Sequence, residues 1–90
     1  MTNQHDQPQG LPVPLTLAPE YGNAFSVSHG PDEFLLAFGF LMGHHGQAHT
    51  LVAVSPATAK RVAQALASNV ARYEGRYGEI GLGDEESPSG

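Results

Sequence analysis

His44, His45 and His49 fall within six residues of one another, the densest set of potential metal ligands in the chain. Imidazole nitrogens bind zinc, copper and nickel, so the cluster is a candidate site for a divalent transition metal. The segment around it, Gly43-His44-His45-Gly46-Gln47-Ala48, reads as a loop entering a strand. A loop of this kind need not make three rings converge. The chain has no cysteine, and no acid lies within the segment to complete a ligand set. The plainer reading is a polar hairpin loop in which the glycines set the turn.

Other chemistry is weaker still. Ser26, Ser28 and His29 place hydroxyls near an imidazole, but neighbouring residues of a strand face opposite ways, so Ser28 and His29 do not pair locally. Asp32 and Glu33 lie side by side at a turn and read as solvated charges rather than a working acid and base. Gly78-Glu79-Ile80-Gly81-Leu82-Gly83 is glycine-rich but follows a helical stretch, whereas a phosphate-cradling loop follows a strand. No catalytic residue is assigned and no enzymatic activity is expected. No cofactor is expected either, the histidine cluster being the one alternative.

The formal charge is −5, and all four basic residues (Lys60, Arg61, Arg72, Arg76) lie in one stretch, while acids gather at Asp84, Glu85 and Glu86. No aromatic residues share the basic face of the helix to stack bases, so nucleic acid is not the expected partner. No apolar run approaches the roughly 20 residues of a membrane span. The first residues, Met-Thr-Asn-Gln-His-Asp, lack the basic-then-apolar order of a signal peptide. The expected location is the cytoplasm.

The elements that must position these residues are legible. Residues 1–19 form an arm, polar at first and then proline-containing from Leu11 to Pro19. Prolines at this density exclude a helix or a central strand, but Leu15 to Leu17 leave room for an extra N-terminal edge segment. The arm is either a polyproline-type ligand for an aromatic groove or, preferably, an extended segment laid on the domain. Residues 20–80 read as one α+β domain, and 81–90 as an acidic disordered tail. Ala24 to His29 alternates, with Phe25 and Val27 on one side and Ser26 and Ser28 on the other, as a half-buried strand does. Gly30-Pro31-Asp32 is a turn. Glu33 to Met42 forms the second strand and Thr50 to Val54 the third. Ser55 is a good helix N-cap and Pro56 a good first helical residue. Ala59, Val62, Ala63, Leu66, Val70, Tyr73 and Tyr77 then form one apolar stripe at helical spacing, with Gly75 and Gly78 as candidate stops. The fold class is α+β: an antiparallel three-stranded β-meander followed by one long C-terminal helix.

The second strand carries the main functional hint. Phe34, Leu36, Phe38, Phe40 and Met42 project to one face, and Leu35, Ala37 and Leu41 to the other. A strand apolar on both faces needs cover on both faces, and one helix covers only one. A domain of roughly 60 residues is marginal alone, and without cysteine it has no disulfide to help. A homo-oligomer is therefore expected, with Leu35, Ala37, Leu41, Val52, Tyr73 and Tyr77 at its interface, unless the proline arm covers the second face. Gly39 within this strand permits a bulge or the close approach of another backbone.

The order of motifs also resembles a family. Tyr21 to Phe34, with its Ser-His-Gly-Pro turn and an aromatic after an acid, is similar to the opening of short prokaryotic proteins grouped as domain of unknown function 3467. Val54-Ser55-Pro56, Ala59-Lys60, Leu66, Asn69, Tyr73-Glu74 and Tyr77-Gly78-Glu79-Ile80 resemble the helix of that family. The likeness spans roughly residues 20–80, and the histidine cluster is outside its pattern. It implies a fold and no activity. By architecture alone, a meander followed by a long helix also resembles the export chaperone SecB, a tetramer that holds unfolded chains in apolar grooves. This analogy implies an unfolded polypeptide, or another protein, as an alternative partner.

Overall fold

The computed structural model of the chain describes residues 10–83. Three strands, β1 (Ala24–His29), β2 (Phe34–Met42) and β3 (His45–Val54), precede one helix, α1 (Pro56–Tyr77). The strands pair antiparallel in the order β1-β2-β3. This is the α+β meander and C-terminal helix that the sequence predicts.

The first connection is a four-residue turn closed by Gly30 N–H donating to Glu33 C=O at 3.0 Å. The second is shorter than the sequence suggests. Only Gly43 and His44 lie between the strands, and Met42 pairs directly with His45. Gly43 has φ +61°. Glycine with positive φ at the first of two central positions fits a type II′ hairpin, whose twist matches that of the strands. Residues 45–49, expected in a loop, therefore belong to β3.

The β2–β3 register shifts once. Phe38 lies opposite Thr50, but Gly39 lies opposite Ala48, so His49 is the extra residue of a β-bulge. Gly39 makes the bulge possible. A Cβ there would stand 2.6 Å from Ala48 Cα and closer still to the Gln47 carbonyl oxygen. Gly39 is also the only described residue that is buried. Beyond the start of β1 the ladder continues through a side chain. Asn23 Nδ2 donates to Leu41 C=O at 3.1 Å, and Leu41 N–H donates to Asn23 Oδ1 at 2.8 Å. The Asn23 backbone N–H adds a bond to Gly39 C=O at 3.0 Å.

Ser55 caps α1 in extended conformation, its Oγ accepting from Thr58 N–H at 3.1 Å, with Pro56 opening the helix. Of the two candidate stops, Gly75 lies inside the helix and Gly78, at φ +105°, ends it. The Gly78 N–H donates to Glu74 C=O and the Ile80 N–H to the Glu74 carboxylate, both at 2.9 Å. These bonds fold residues 78–80 back along the last turn.

The arm does not lie on the domain. Leu11, Val13 and Leu17 are exposed and Leu15 is 102% exposed. Leu17 N–H donates to Pro14 C=O at 3.0 Å, which makes 14–17 a turn rather than an extra edge strand. The prolines deny this segment the donors a ladder needs, and it has no partner strand. No described apolar side chain is fully buried. The helix is long, at about 33 Å for its 22 residues. No described helix is long and apolar enough to cross a membrane.

Candidate functional site

Cross-strand partners share a face of a sheet, so the register sorts every strand residue to one side or the other. The inner face carries Phe25 and Val27 of β1, Phe34, Leu36 and Phe38 of β2, and Val52 and Val54 of β3. The first half of α1 runs above it. Ala59, Val62, Ala63 and Leu66 line one wall of an apolar cleft of about 650 Å³, and Phe25, Val27, Phe34, Leu36 and Phe38 line the other. On this side Val27, Phe34, Leu36, Val54 and Ala59 are half-buried. Val62 and Leu66, farther along the helix, remain exposed.

The outer face is unlike it. Its rows are Ser28-Leu35-Ala53, Ser26-Ala37-Leu51 and Ala24-Gly39-Ala48, followed by Leu41 opposite Gly46. Every position is leucine, alanine, serine or glycine, and none is charged. The small residues leave a shallow depression of about 320 Å³ bordered by Ala24, Ala37, Gly39, Leu41, Gly46 and Ala48. No described segment covers it: Leu41 is 49% exposed and Leu51 66%.

The six residues expected at an interface thus fall in three places. Leu35, Ala37 and Leu41 lie together on the outer face. Val52 is opposite Leu36 and so lies on the inner face. Leu51 is the β3 leucine on the outer face, opposite Ala37. The signal that could have separated them is parity. Val54 leads into the helix and must point to the helix side, so Val52 does too and Leu51 points away. Tyr73 and Tyr77 lie in the last turns of α1, their ring centroids 4.9 Å apart, with Arg76 Cζ 5.6 Å from the Tyr77 centroid. They form an open groove with Val70 and Ile80, flanked by Asn69, Arg72 and Arg76, and no sheet residue lines it. Asn69 holds the edge of the groove, its amide donating to Ala65 C=O at 2.9 Å and accepting from Arg72 at 2.8 Å.

The histidines are not brought together. His44 is in the hairpin turn and His45 pairs with Met42 on the inner face. His49, in the bulge, has both ring nitrogens engaged. Nε2 is 3.0 Å from Tyr21 C=O and Nδ1 is 2.7 Å from Thr50 Oγ1. A carbonyl can only accept, so Nε2–H donates to Tyr21, while Nδ1 pairs with the Thr50 hydroxyl. The Glu20 carboxylate lies 3.4 Å from Nδ1. His49 therefore ties Glu20 and Tyr21, at the start of the domain, to the sheet. Among the described residues no three His, Cys, Asp or Glu side chains are grouped so as to hold a metal ion. The serine pair is separated as the alternation requires. Ser28 is on the outer face, while His29 is opposite Phe34 on the inner face and stacks on it at 5.2 Å.

Fold and surfaces together define a class: a small α+β meander-and-helix unit whose apolar faces are incompletely covered within one chain. The chain belongs to the family described as protein of unknown function (DUF3467), whose profile matches residues 3–82. No curated protein and no solved structure matches it.

Proposed function

We propose that this chain is a non-enzymatic, homo-oligomeric binding or scaffold module whose core is completed by further copies of itself. One observation carries the reading: no described apolar side chain is buried within a single chain. Folding must offset a conformational entropy cost of about 1–2 kcal/mol per residue. A unit with only half-buried apolar residues does not gain enough from its own contacts. The uncharged outer face supplies one interface. Two such sheets stack at about 10 Å with their inner side chains interdigitated, and Leu35, Leu41 and Leu51 stand beside alanine and glycine positions able to receive a leucine from a second copy. The separation of Ser28 from His29, and the engagement of His49 with Tyr21 and Thr50, support a binding role over a catalytic one.

The test is solution mass by light scattering after gel filtration, across a range of protein concentrations. A stable dimer or tetramer supports the reading. A well-folded monomer at every concentration overturns it.

A further inference from the structure

Among the described residues, two apolar patches on the helix side of the molecule have no partner, and they are at opposite ends of their elements. The cleft between α1 and the sheet involves the helix only as far as Leu66. Beyond that, Val70, Tyr73, Tyr77 and Ile80 line a groove that contains no sheet residue. The sheet likewise continues past the helix. Phe40, Met42 and His45 border an open hollow that contains no helix residue. Tyr21 joins this end of the sheet, its ring 5.9 Å from that of Phe40.

Neither patch can be covered by the other within one chain. α1 is a continuous helix from Pro56 to Tyr77. Its first half faces Phe34 and Leu36 across the apolar cleft, so swinging its second half onto Phe40 and Met42 would carry the first half away from that cleft.

The two patches match in size and character. Val70, Tyr73, Tyr77 and Ile80 are 41, 50, 66 and 39% exposed, and Tyr21, Phe40 and Met42 are 76, 41 and 64% exposed. At about 200 Å² for a large apolar side chain, each patch holds roughly 350–400 Å² of open surface. In a two-fold dimer each patch is used once by each subunit. Each chain then contributes roughly 700–800 Å², close to the ~800 Å² per partner of a standard stable interface. Neither apolar set contains a charged residue, and Arg72 and Arg76 stand at the rim of the helix groove, where charges remain solvated.

Resting on the oligomeric reading above, we infer that a second copy is the occupant, and that the exchange is reciprocal. The last turns of α1, with Val70, Tyr73, Tyr77 and Ile80, lie across the Tyr21-Phe40-Met42 end of the partner's sheet, and the partner's helix does the same in return. The helix thus roofs its own sheet with its first half and a second sheet with its second half.

The native chain has no cysteine, which makes the pairing directly readable. Tyr73→Cys and Met42→Cys are made separately in the full chain, distinguished by a tag on one, mixed, and treated with a short bismaleimide. The pair Tyr77→Cys with Phe40→Cys repeats the measurement at independent positions, and circular dichroism confirms that each variant is folded. The expected result is a covalent heterodimer from the mixture, several-fold more abundant than the covalent homodimer that either variant gives alone. The Tyr73→Cys/Met42→Cys double variant should link between chains rather than within one. Oligomeric mass without the heterodimer at either pair overturns this inference and leaves the oligomeric reading standing. A monomeric mass overturns both. Linkage to an added unfolded polypeptide in place of the second copy also overturns the inference, and assigns the groove to that client.

Discussion

Replacing Gly39 by alanine should be among the most damaging single-methyl changes available to this chain. The added Cβ would stand 2.6 Å from Ala48 Cα and 2.9 Å from Gln47 C. Both obstacles are backbone, so no side chain can rotate away. Relief requires the bulge to open, which separates β2 from β3 where Gly39 meets Ala48. Overpacking against a core costs about 1–3 kcal/mol where side chains can adjust, and a clash with backbone belongs at or above the upper end. At about 3 kcal/mol, a domain of this size should lose roughly 12–24 °C of melting temperature. The assay is thermal unfolding followed by circular dichroism, at fixed protomer concentration because assembly couples to stability. Gly30→Ala is the matched control. Nothing lies within 4 Å of its added Cβ, and removing a glycine restricts the unfolded chain, so it should be neutral or slightly stabilising. Should Gly39→Ala melt within a degree or two of the native protein, the close approach at the bulge would be wrong, and with it the register that sorts the two faces.

The outer face offers a second check: Leu35→Asp and Leu41→Asp each place a carboxylate where a second sheet should stack, and both should reduce the mass seen by light scattering. Two folded variants with unchanged mass would remove the outer face from the assembly. Asn23→Ala deletes two exposed hydrogen bonds to the Leu41 backbone and should cost about 1 kcal/mol, measured by urea unfolding. Ser55→Ala should cost a similar ~1 kcal/mol through loss of the N-cap, and a variant as stable as the native protein would deny that cap any weight. Calorimetric titration with zinc, nickel and copper should show no binding that disappears when His44, His45 and His49 are all replaced by alanine. A tight site lost in that variant would mean that assembly gathers the rings that one chain keeps apart.

Local chemistry made most of the fold legible. Ser55-Pro56 starts a helix and Gly78 ends one because capping depends on a few adjacent backbone groups. The alternation of Phe34 to Met42 assigns faces because side-chain direction in a strand repeats every two residues. Gly39 was recognisable as a place for a bulge because only glycine leaves room for another backbone. The family resemblance rested on the same local motifs, and the profile match over residues 3–82 shows it to be correct.

What the sequence alone determined, then, is the element order, the helix start, the two-sided apolar character of β2 and the shortage of cover for it. What only the tertiary structure decided is register and reach. The two-residue turn at Gly43-His44 and the bulge at His49 together set which residues of β3 share a face with Leu35. They put Leu51 there and Val52 behind it. The same bulge set the His49 ring against the Tyr21 carbonyl. The path of α1 left Tyr73 and Tyr77 beyond the sheet. These are relations between segments distant along the chain. They follow from how strands are paired and where a rigid helix points, which no short stretch of sequence encodes.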